Sequence, residues 1–334
     1  MTISLPHEDA IAMGFPPMAP VSTLLSISHL FGTSKKRCGI YLLAFPAELF
    51  YIGQAIDVVR RFSQHRRNYD DIIGLSFIPV PKATLNDVEK ELIFKAESIG
   101  FKLKNAVHVS SIIGDADFDL VMPISEQEIW LSASPRFDTD TDGNLPKIIL
   151  PESQQIRFSK NFDQFTKHPL AQNALVLLTQ YVHECIPAPR RTEYSFWSVS
   201  CMPSTNKNTW PRLFCVNAAS MELFVVGWKK NSNSLWSFLT IDADVLSQHW
   251  PDPEEFCQKF PSVEFINREY RDAGQNQITL CCNGDARMDL LLADQGICEA
   301  AAALNLRVMR KRASFYMQYH CPQLANEALS VRYA

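Results

Sequence analysis

A short stretch of the sequence, CGIYLLAFPAELFYIGQAIDVVRRFSQH (residues 38–65), concentrates side chains that can bind phosphate and transfer protons. It contains two near-mirror tripeptides, GIY and YIG, which are expected to place Tyr41 and Tyr51 on neighbouring strands. Arg61 and His65 follow on a predicted helix, at the edge of its apolar side. That position suits groups that are held rigidly and still reach a cleft. A solvated basic face is the alternative for such a pair.

A carboxylate on a second predicted helix is the other residue of interest. On a helix that starts at Asn86, Glu89 falls within the apolar side that Val88, Leu92 and Ile93 define. Burial of an unpaired carboxylate is costly, so we expect a cation or hydrogen-bond donors beside Glu89. The alternative is a capping box, in which Glu89 bonds the backbone of Asn86.

The elements that must position these residues form a β-β-α-β-α series. The predicted elements are strands at 39–45 and 50–53, a helix from 57 to about 67, a strand at 74–80 and a helix at 86–98. Asp57 is the expected N-cap of the first helix. This order predicts a small α/β domain with a three-stranded sheet flanked by helices.

Together these residues resemble the GIY-YIG nuclease superfamily over roughly residues 36–105. Both tripeptides are literal, and Gln54 and an alanine follow the second one. The arginine comes eight residues after Gly53, the histidine four residues later, and the acidic residue stands in VEKELI. The resemblance implies an endonuclease that hydrolyses phosphodiester bonds in DNA with one divalent ion, Mg²⁺ or Mn²⁺, per active site.

The resemblance also implies a role for each catalytic residue. Tyr41 would orient or deprotonate the attacking water, and Tyr51 would bond the reacting phosphate or assist Tyr41. Arg61 would stabilise the negative charge that develops on the phosphorane. His65 would take part in proton transfer or bind phosphate. Glu89 would hold the metal ion.

Further residues would support this site. Gly39 and Gly53 are expected to allow close backbone approach, because a side chain at Gly53 would crowd the tyrosines. Asn105 is the candidate for the family's final asparagine, although it follows the acidic residue at a greater distance than is usual. Lys102 and Lys104 beside it are candidate phosphate contacts, with solvated lysines as the alternative.

The remaining chain predicts a second domain of the α+β class. The expected division is an N-terminal extension at 1–35, a nuclease domain at 36–125, an acidic, proline-rich linker at 126–154 and a further domain at 155–334. In this last domain EYSFWSVS, RLFCVN, ELFVVGW and LWSFLTID alternate as four antiparallel strands, and residues 285–319 are expected to be mostly helical.

The second domain is expected to select or license the target rather than to catalyse. Its densest basic run, RVMRKR, is either a DNA-contacting helix face or a solvated one. The candidate nucleic-acid contacts of this run are Arg307, Arg310, Lys311 and Arg312.

Composition narrows the class of protein. The 334 residues are long enough for two domains, and 46% hydrophobic against 20% charged residues excludes pervasive disorder. The net charge of -4 excludes a generic polyanion binder. Residues 35–104 nevertheless carry 12 basic against 8 acidic residues, whereas residues 105–160 carry 4 against 9. This asymmetry is compatible with a confined nucleic-acid surface.

Cysteine usage and the N-terminal segment predict a cytoplasmic protein. The nine cysteines are scattered and contain no C-x-x-C pair, so we expect reduced thiols rather than a disulfide framework. The first residues lack a basic n-region, and their apolar run is too short to span a bilayer. No membrane partner is expected.

Three interpretations remain open at this point. The first is a bacterial or phage endonuclease of restriction, defence or mobile-element type, acting most readily on duplex DNA. The second is a binding module that holds nucleic acid without cutting it, which is disfavoured because such a module is expected to lose some of the catalytic residues. The third is a defence effector whose nuclease acts only after the second domain senses a signal or partner. A homodimer or a protein partner is a further expectation.

Overall fold

The computed structural model describes residues 7–32, 36–105, 108–111, 116–133, 152–230, 234–283 and 287–330. The chain is of the mixed α+β class, as predicted, and it divides into two compact units, residues 1–114 (unit 1) and 115–334 (unit 2). This division falls before the boundary expected near residue 125. A helix at Ile124–Ser132 covers the start of the expected linker, and residues 134–151 of that linker lie outside the described residues.

Unit 1 contains a five-stranded sheet with the strand order β1-β4-β2-β3-β5. Its strands are β1 (Ala19–Pro20), β2 (Gly39–Phe45), β3 (Leu49–Ala55), β4 (Gly74–Pro79) and β5 (Lys102–Leu103). Its helices are α1 (His7–Ala12), α2 (Val58–Asn68) and α3 (Leu85–Ser98). The predicted β-β-α-β-α series is therefore confirmed. The expected three-stranded sheet is only the centre of the observed one, because the two-residue strands β1 and β5 extend it.

The pairing of the central strands sets the register of the tyrosine-bearing segments. β2 pairs antiparallel with both β3 and β4, and Tyr41 stands opposite Gly53 of β3. β5 pairs parallel with only the first two residues of β3, Leu49 and Phe50. Within the described residues, the rest of β3 has no strand along its outer edge.

Strand β2 is buried along its whole length because both sides of the sheet are covered. Successive side chains of a strand point to opposite sides. Ile40 and Leu42 pack in one apolar cluster with Ile93 of α3, whereas Tyr41 packs in another with Phe62 of α2. The sheet therefore has an α2 face and an α3 face, and the tyrosine of GIY belongs to the α2 face.

The two helices begin at defined caps. Asp57 caps α2 as predicted, because its carboxylate accepts bonds from two N–H groups of the first turn. Helix α3 begins at Leu85, with Thr84 as its N-cap residue. The alternative of a capping box between Asn86 and Glu89 is wrong, because Asn86 already lies inside the helix.

Unit 2 contains a six-stranded antiparallel sheet with the order β10-β11-β9-β8-β7-β6. Its strands are β6 (Trp197–Cys201), β7 (Arg212–Ala218), β8 (Met221–Trp228), β9 (Leu235–Ile241), β10 (Val263–Ile266) and β11 (Ile278–Asn283). Its helices are α4 (Ile124–Ser132), α5 (Glu152–Thr166), α6 (Ala171–Cys185), α7 (Pro189–Thr192), α8 (Ala243–His249), α9 (Pro253–Lys259), α10 (Met288–Leu292), α11 (Gln295–Lys311) and α12 (Pro322–Ser330). The four predicted strands and the helical segment after residue 285 are confirmed.

The sheet of unit 2 is covered differently on its two sides. Helices α6, α11 and α12 share the main apolar core with one side of the sheet. A smaller cluster around Cys215 and Trp236 occupies the other side. All nine cysteines are free thiols. None of the helices in the described part of the chain combines the length and the apolar character needed to cross a membrane.

Gly39 provides a test of the packing between β2 and β4. A Cβ at this position would overlap the backbone carbonyl of Ile78 and lie 2.8 Å from Cζ of Phe77. Because a paired backbone cannot move aside as a flexible side chain can, we expect Gly39→Ala to lower the free energy of unfolding by about 1–3 kcal/mol. Chemical denaturation measures the change. Gly32→Ala is the control, since a Cβ at Gly32 meets nothing within 4 Å. Equal losses in both variants would contradict the close approach.

Candidate active site

The two motif tyrosines lie side by side on the α2 face. The rings of Tyr41 and Tyr51 are stacked, with centroids 6.2 Å apart and an angle of 18° between the ring planes. Gly53 lies against both of them. A Cβ at Gly53 would overlap the Tyr41 hydroxyl and lie 2.8 Å from Cε1 of Tyr51. The missing side chain at Gly53 therefore leaves the room that the Tyr41 hydroxyl occupies.

Two residues of α2 bond the hydroxyl of Tyr41. Nε2 of His65 lies 2.7 Å from the hydroxyl oxygen, and Nε of Arg61 donates to the same oxygen at 3.2 Å. A guanidinium group can only donate, so the hydroxyl oxygen accepts from Arg61. The hydroxyl donates to His65 when the ring proton is on Nδ1, and accepts from Nε2 in the other tautomer. Tyr41 is 1% exposed and His65 is 8% exposed, whereas Arg61 is exposed.

The pKa values indicate which of these side chains carry charge. Burial, helped by the neighbouring Tyr51, raises the pKa of Tyr41 far above its ordinary value, and burial also raises the pKa of Tyr51. Burial and the charge of Arg61 lower the pKa of His65 to about 4. The hydrogen bond with Tyr41 raises the pKa of Arg61. Near neutral pH these four side chains are therefore two phenols, a neutral imidazole and one cation.

Glu89 approaches the same strand from the α3 face. The backbone N–H of Gln54 donates to Oε1 of Glu89 at 3.0 Å, and the Gln54 side-chain amide donates to Oε2 at 2.8 Å. The same amide bonds Oδ1 of Asn86 at 2.6 Å. After burial, the charge of Glu89 is among the further causes that raise the pKa values of Tyr41 and Tyr51. The field of the carboxylate therefore reaches the tyrosines.

Asn105 lies along the open edge of β3. Its Oδ1 accepts the N–H of Ile52 at 3.0 Å, and its Nδ2 donates to the carbonyl of Ile52 at 2.6 Å. The side chain is 5% exposed. Asn105 thus takes the place of a partner strand beside the YIG segment, and it contacts backbone rather than the tyrosines.

The two lysines beside Asn105 differ in their surroundings. Lys102 is exposed on β5. Nζ of Lys104 lies 4.7 Å from the centroid of the Tyr69 ring and 3.9 Å from Oδ2 of Asp71. The Tyr69 ring in turn stacks on His65, with centroids 6.1 Å apart. Lys104 therefore lies on the α2 face beyond His65, and its role as a phosphate contact stays a prediction.

The basic run of α11 bonds within unit 2. The pairs are Arg307 with Asp242 at 2.8 Å, Arg310 with Asp119 at 2.9 Å and Arg312 with Asp272, and Lys311 donates to the carbonyl of Asp272 at 2.6 Å. These bonds favour a packing role for the four residues. DNA binding through them stays a prediction that the observed contacts do not favour.

The chemistry of the donors fits one divalent cation held by one carboxylate. No group of three or more His, Cys, Asp or Glu residues that could hold a metal occurs in the described ranges. Mg²⁺ prefers oxygen ligands, keeps several waters and is often bound through one or two carboxylates. Glu89 offers such oxygens, and the donors that Gln54 directs at them are neutral amides. Glu89 is therefore the residue that would hold the ion.

Sequence reasoning missed two contributors to the site. Gln54 positions Glu89, and the available signal was alternation along β3, which places Gln54 on the side opposite Tyr51. Tyr69 stacks on His65 from just beyond the end of α2, and no spacing rule indicated it.

Comparisons of the chain with protein-family models, with curated proteins and with solved structures found no match.

Asn105 gives a prediction about stability. Asn105→Ala would leave the N–H and carbonyl of Ile52 without their side-chain partners. Each buried polar group that loses its partner costs about 1–3 kcal/mol, so we expect a loss of roughly 2–5 kcal/mol in the free energy of unfolding. Denaturant titration measures it. Lys102→Ala, at an exposed neighbouring position, is the control and should stay within about 0.5 kcal/mol of the parent. A similar small effect in both variants would contradict the edge-pairing role.

His65 gives a prediction about pH. Its pKa is about 4 in the folded protein, against an ordinary value of 6.5. As the pH falls from 6.5 towards 4, the unfolded chain binds a proton that the folded chain does not, so the free energy of unfolding decreases over this interval. Above 6.5 this contribution to stability is fully present. We expect His65→Gln, which stays neutral, to lose less stability across the same interval. Identical pH profiles would show that His65 is not held neutral.

Proposed function

We propose that the chain is a divalent-metal-dependent endonuclease that hydrolyses phosphodiester bonds in DNA, with its active site in unit 1. The observation that carries the proposal is the arrangement of the five motif residues around strands β2 and β3. Tyr41, Tyr51, Arg61 and His65 gather on the α2 face, and Glu89 bonds the residue next to Gly53 from the α3 face. The resemblance to GIY-YIG nucleases supports the same reading.

Arg61 is the group that would bind the scissile phosphate. It is exposed, and its bonds in the described residues go to the neutral oxygens of Tyr41, Tyr51 and Gln64. A guanidinium group pairs well with phosphate oxygens and strengthens its interaction as negative charge grows on them. Tyr51, half-buried beside it, would donate to the same phosphate group.

Tyr41 and His65 would form a path for the proton of the attacking water. In the tautomer with the ring proton on Nδ1, the Tyr41 hydroxyl donates to Nε2 of His65, so its oxygen could take a proton as it passes its own to Nε2. The high pKa of Tyr41 disfavours a free phenolate, which makes this paired transfer the better route. His65 would hold this proton only in passing, because its lowered pKa of about 4 disfavours the charged imidazolium near neutral pH.

Glu89 would hold the metal ion through its carboxylate, with Gln54 keeping both oxygens in place. When bound, the ion would supply Lewis-acid stabilisation of charge on the departing oxygen. The proposal extends to a restriction, defence or mobile-element nuclease whose unit 2 would select or license the target.

One observation favours a restrained nuclease as the second candidate. The Tyr41 hydroxyl is buried and bonded on two sides, by His65 and by Arg61. A tyrosine that is 1% exposed offers little access to an attacking water. This arrangement is the one expected of an effector that cuts only after a signal or partner acts on it, or of a module that binds nucleic acid without cutting it.

Plasmid nicking by the full chain with Mg²⁺ or Mn²⁺ tests the proposal. We expect nicking that depends on the metal, and a loss of about 10²–10³ in rate for Arg61→Ala, because one electrostatic contact to the transition state is removed. Glu89→Ala should be inactive at ordinary metal concentrations. Arg60→Ala is the matched control, since Arg60 is the exposed neighbour on the same helix.

The outcomes separate the interpretations. Undiminished nicking by Glu89→Ala would contradict the proposed metal site. Duplex binding without nicking, by the parent and by Glu89→Ala alike, would favour the binding module. Robust nicking by the purified chain alone would exclude the restrained effector.

A further inference from the structure

A cavity of about 580 Å³ lies in unit 2, on the side of the sheet that carries Cys215. Its volume is within the range of about 300–1,000 Å³ that is typical of small-molecule sites. Side chains from α5, from β6, β7 and β8 and from the segment before α12 line it. All lining residues belong to unit 2, so the cavity is separate from the site of unit 1.

The cavity lining carries an excess of positive charge. Arg212 is 7% exposed and pairs with the carboxylate of Glu222. The same carboxylate accepts bonds from Arg268 at 3.4 Å and from the hydroxyl of Tyr270 at 3.3 Å. Arg268 lies outside the lining, in which Arg212 and Lys207 stand against the one carboxylate of Glu222 and leave an excess of one positive charge. Such a site favours an anionic ligand.

Flat rings and amide groups form the other walls. The rings of Trp228 and Tyr316 and the amides of Asn161 and Asn217 line the cavity. Aromatic rings stack on planar ligands, and amides both donate and accept hydrogen bonds at the polar edge of such a ligand. We propose that this cavity binds a small organic anion that carries a flat polar ring, the chemical class of a nucleoside monophosphate.

Calorimetric titration of the full chain with the four common nucleoside 5′-monophosphates tests the proposal. The titrations use the Glu89→Ala variant in the presence of a chelator, so that metal-dependent binding in unit 1 does not contribute. We expect at least one of the four to bind with a dissociation constant of about 1 mM or lower. The matching nucleoside and inorganic phosphate, titrated separately, should each bind at least about tenfold more weakly. The nucleoside lacks the phosphate group, and inorganic phosphate lacks the flat ring.

Two substitutions assign the binding to this cavity. Lys207→Ala removes an exposed cation of the lining, and we expect it to weaken binding by roughly three- to tenfold without unfolding the chain. Asn217→Ala should alter the preference among the four bases. Lys167→Ala, at an exposed lysine of unit 2 outside the lining, should leave the affinity unchanged. The measurement does not depend on DNA cleavage, so failure of the proposed nuclease function leaves it intact.

Three results would overturn the inference. The first is the absence of saturable binding by any monophosphate. The second is inorganic phosphate binding as tightly as the monophosphates, which would leave a simple anion site without ring recognition. The third is binding that Lys207→Ala and Lys167→Ala affect equally, which would place the ligand elsewhere on the chain.

Discussion

The outer edge of strand β3 is the constraint on which the candidate site depends. Backbone N–H and carbonyl groups in a folded chain need partners, and beyond Phe50 this edge of β3 has no neighbouring strand among the described residues, whereas β2 pairs along the other edge. Side chains supply the missing bonds: Asn105 serves both backbone groups of Ile52, and Glu89 accepts the N–H of Gln54. Glu89 therefore reaches this edge because its carboxylate accepts a backbone N–H of β3. The same bond brings its negative charge to the edge.

Near this edge, side chains from both faces of the sheet lie close to the same strand. Tyr51 and Gly53 face α2, whereas Gln54 faces α3, because side chains alternate along a strand. With no side chain at Gly53, the hydroxyl of Tyr41 lies against the backbone one residue away from the bond to Glu89. Burial dominates the raised pKa of Tyr41, and the charge of Glu89 adds to it from across the strand. One missing side chain thus lets groups from opposite sides of a sheet act on the same place.

Much of unit 1 could be predicted because its main elements are long, alternate regularly and begin at recognisable caps such as Asp57. The parts that could not be predicted depend on contacts between distant residues. Strand β5 has two residues and therefore no periodicity to read. Asn105 bonds Ile52 across 53 positions of the chain, and no local pattern indicates such a pairing. For the site, the motif gave the five residue types, whereas burial of His65 and the partner of Glu89 follow only from the packing of α2 and α3.

Sequence alone also cannot separate an arginine that holds the fold from one that is available to an anion, because the difference lies in the partner. Arg66 of α2 donates to four backbone carbonyls, and Arg312 of unit 2 pairs with a buried carboxylate. Arg61 differs from both, since its bonds within the described residues end on the hydroxyls of Tyr41 and Tyr51 and on the amide oxygen of Gln64. Its positive charge has no bonded carboxylate there, and the phenols and imidazole around it are uncharged near neutral pH. A phosphate is the kind of anion that such a guanidinium group would bind, and this uncompensated charge supports the proposed site independently of the two tripeptides.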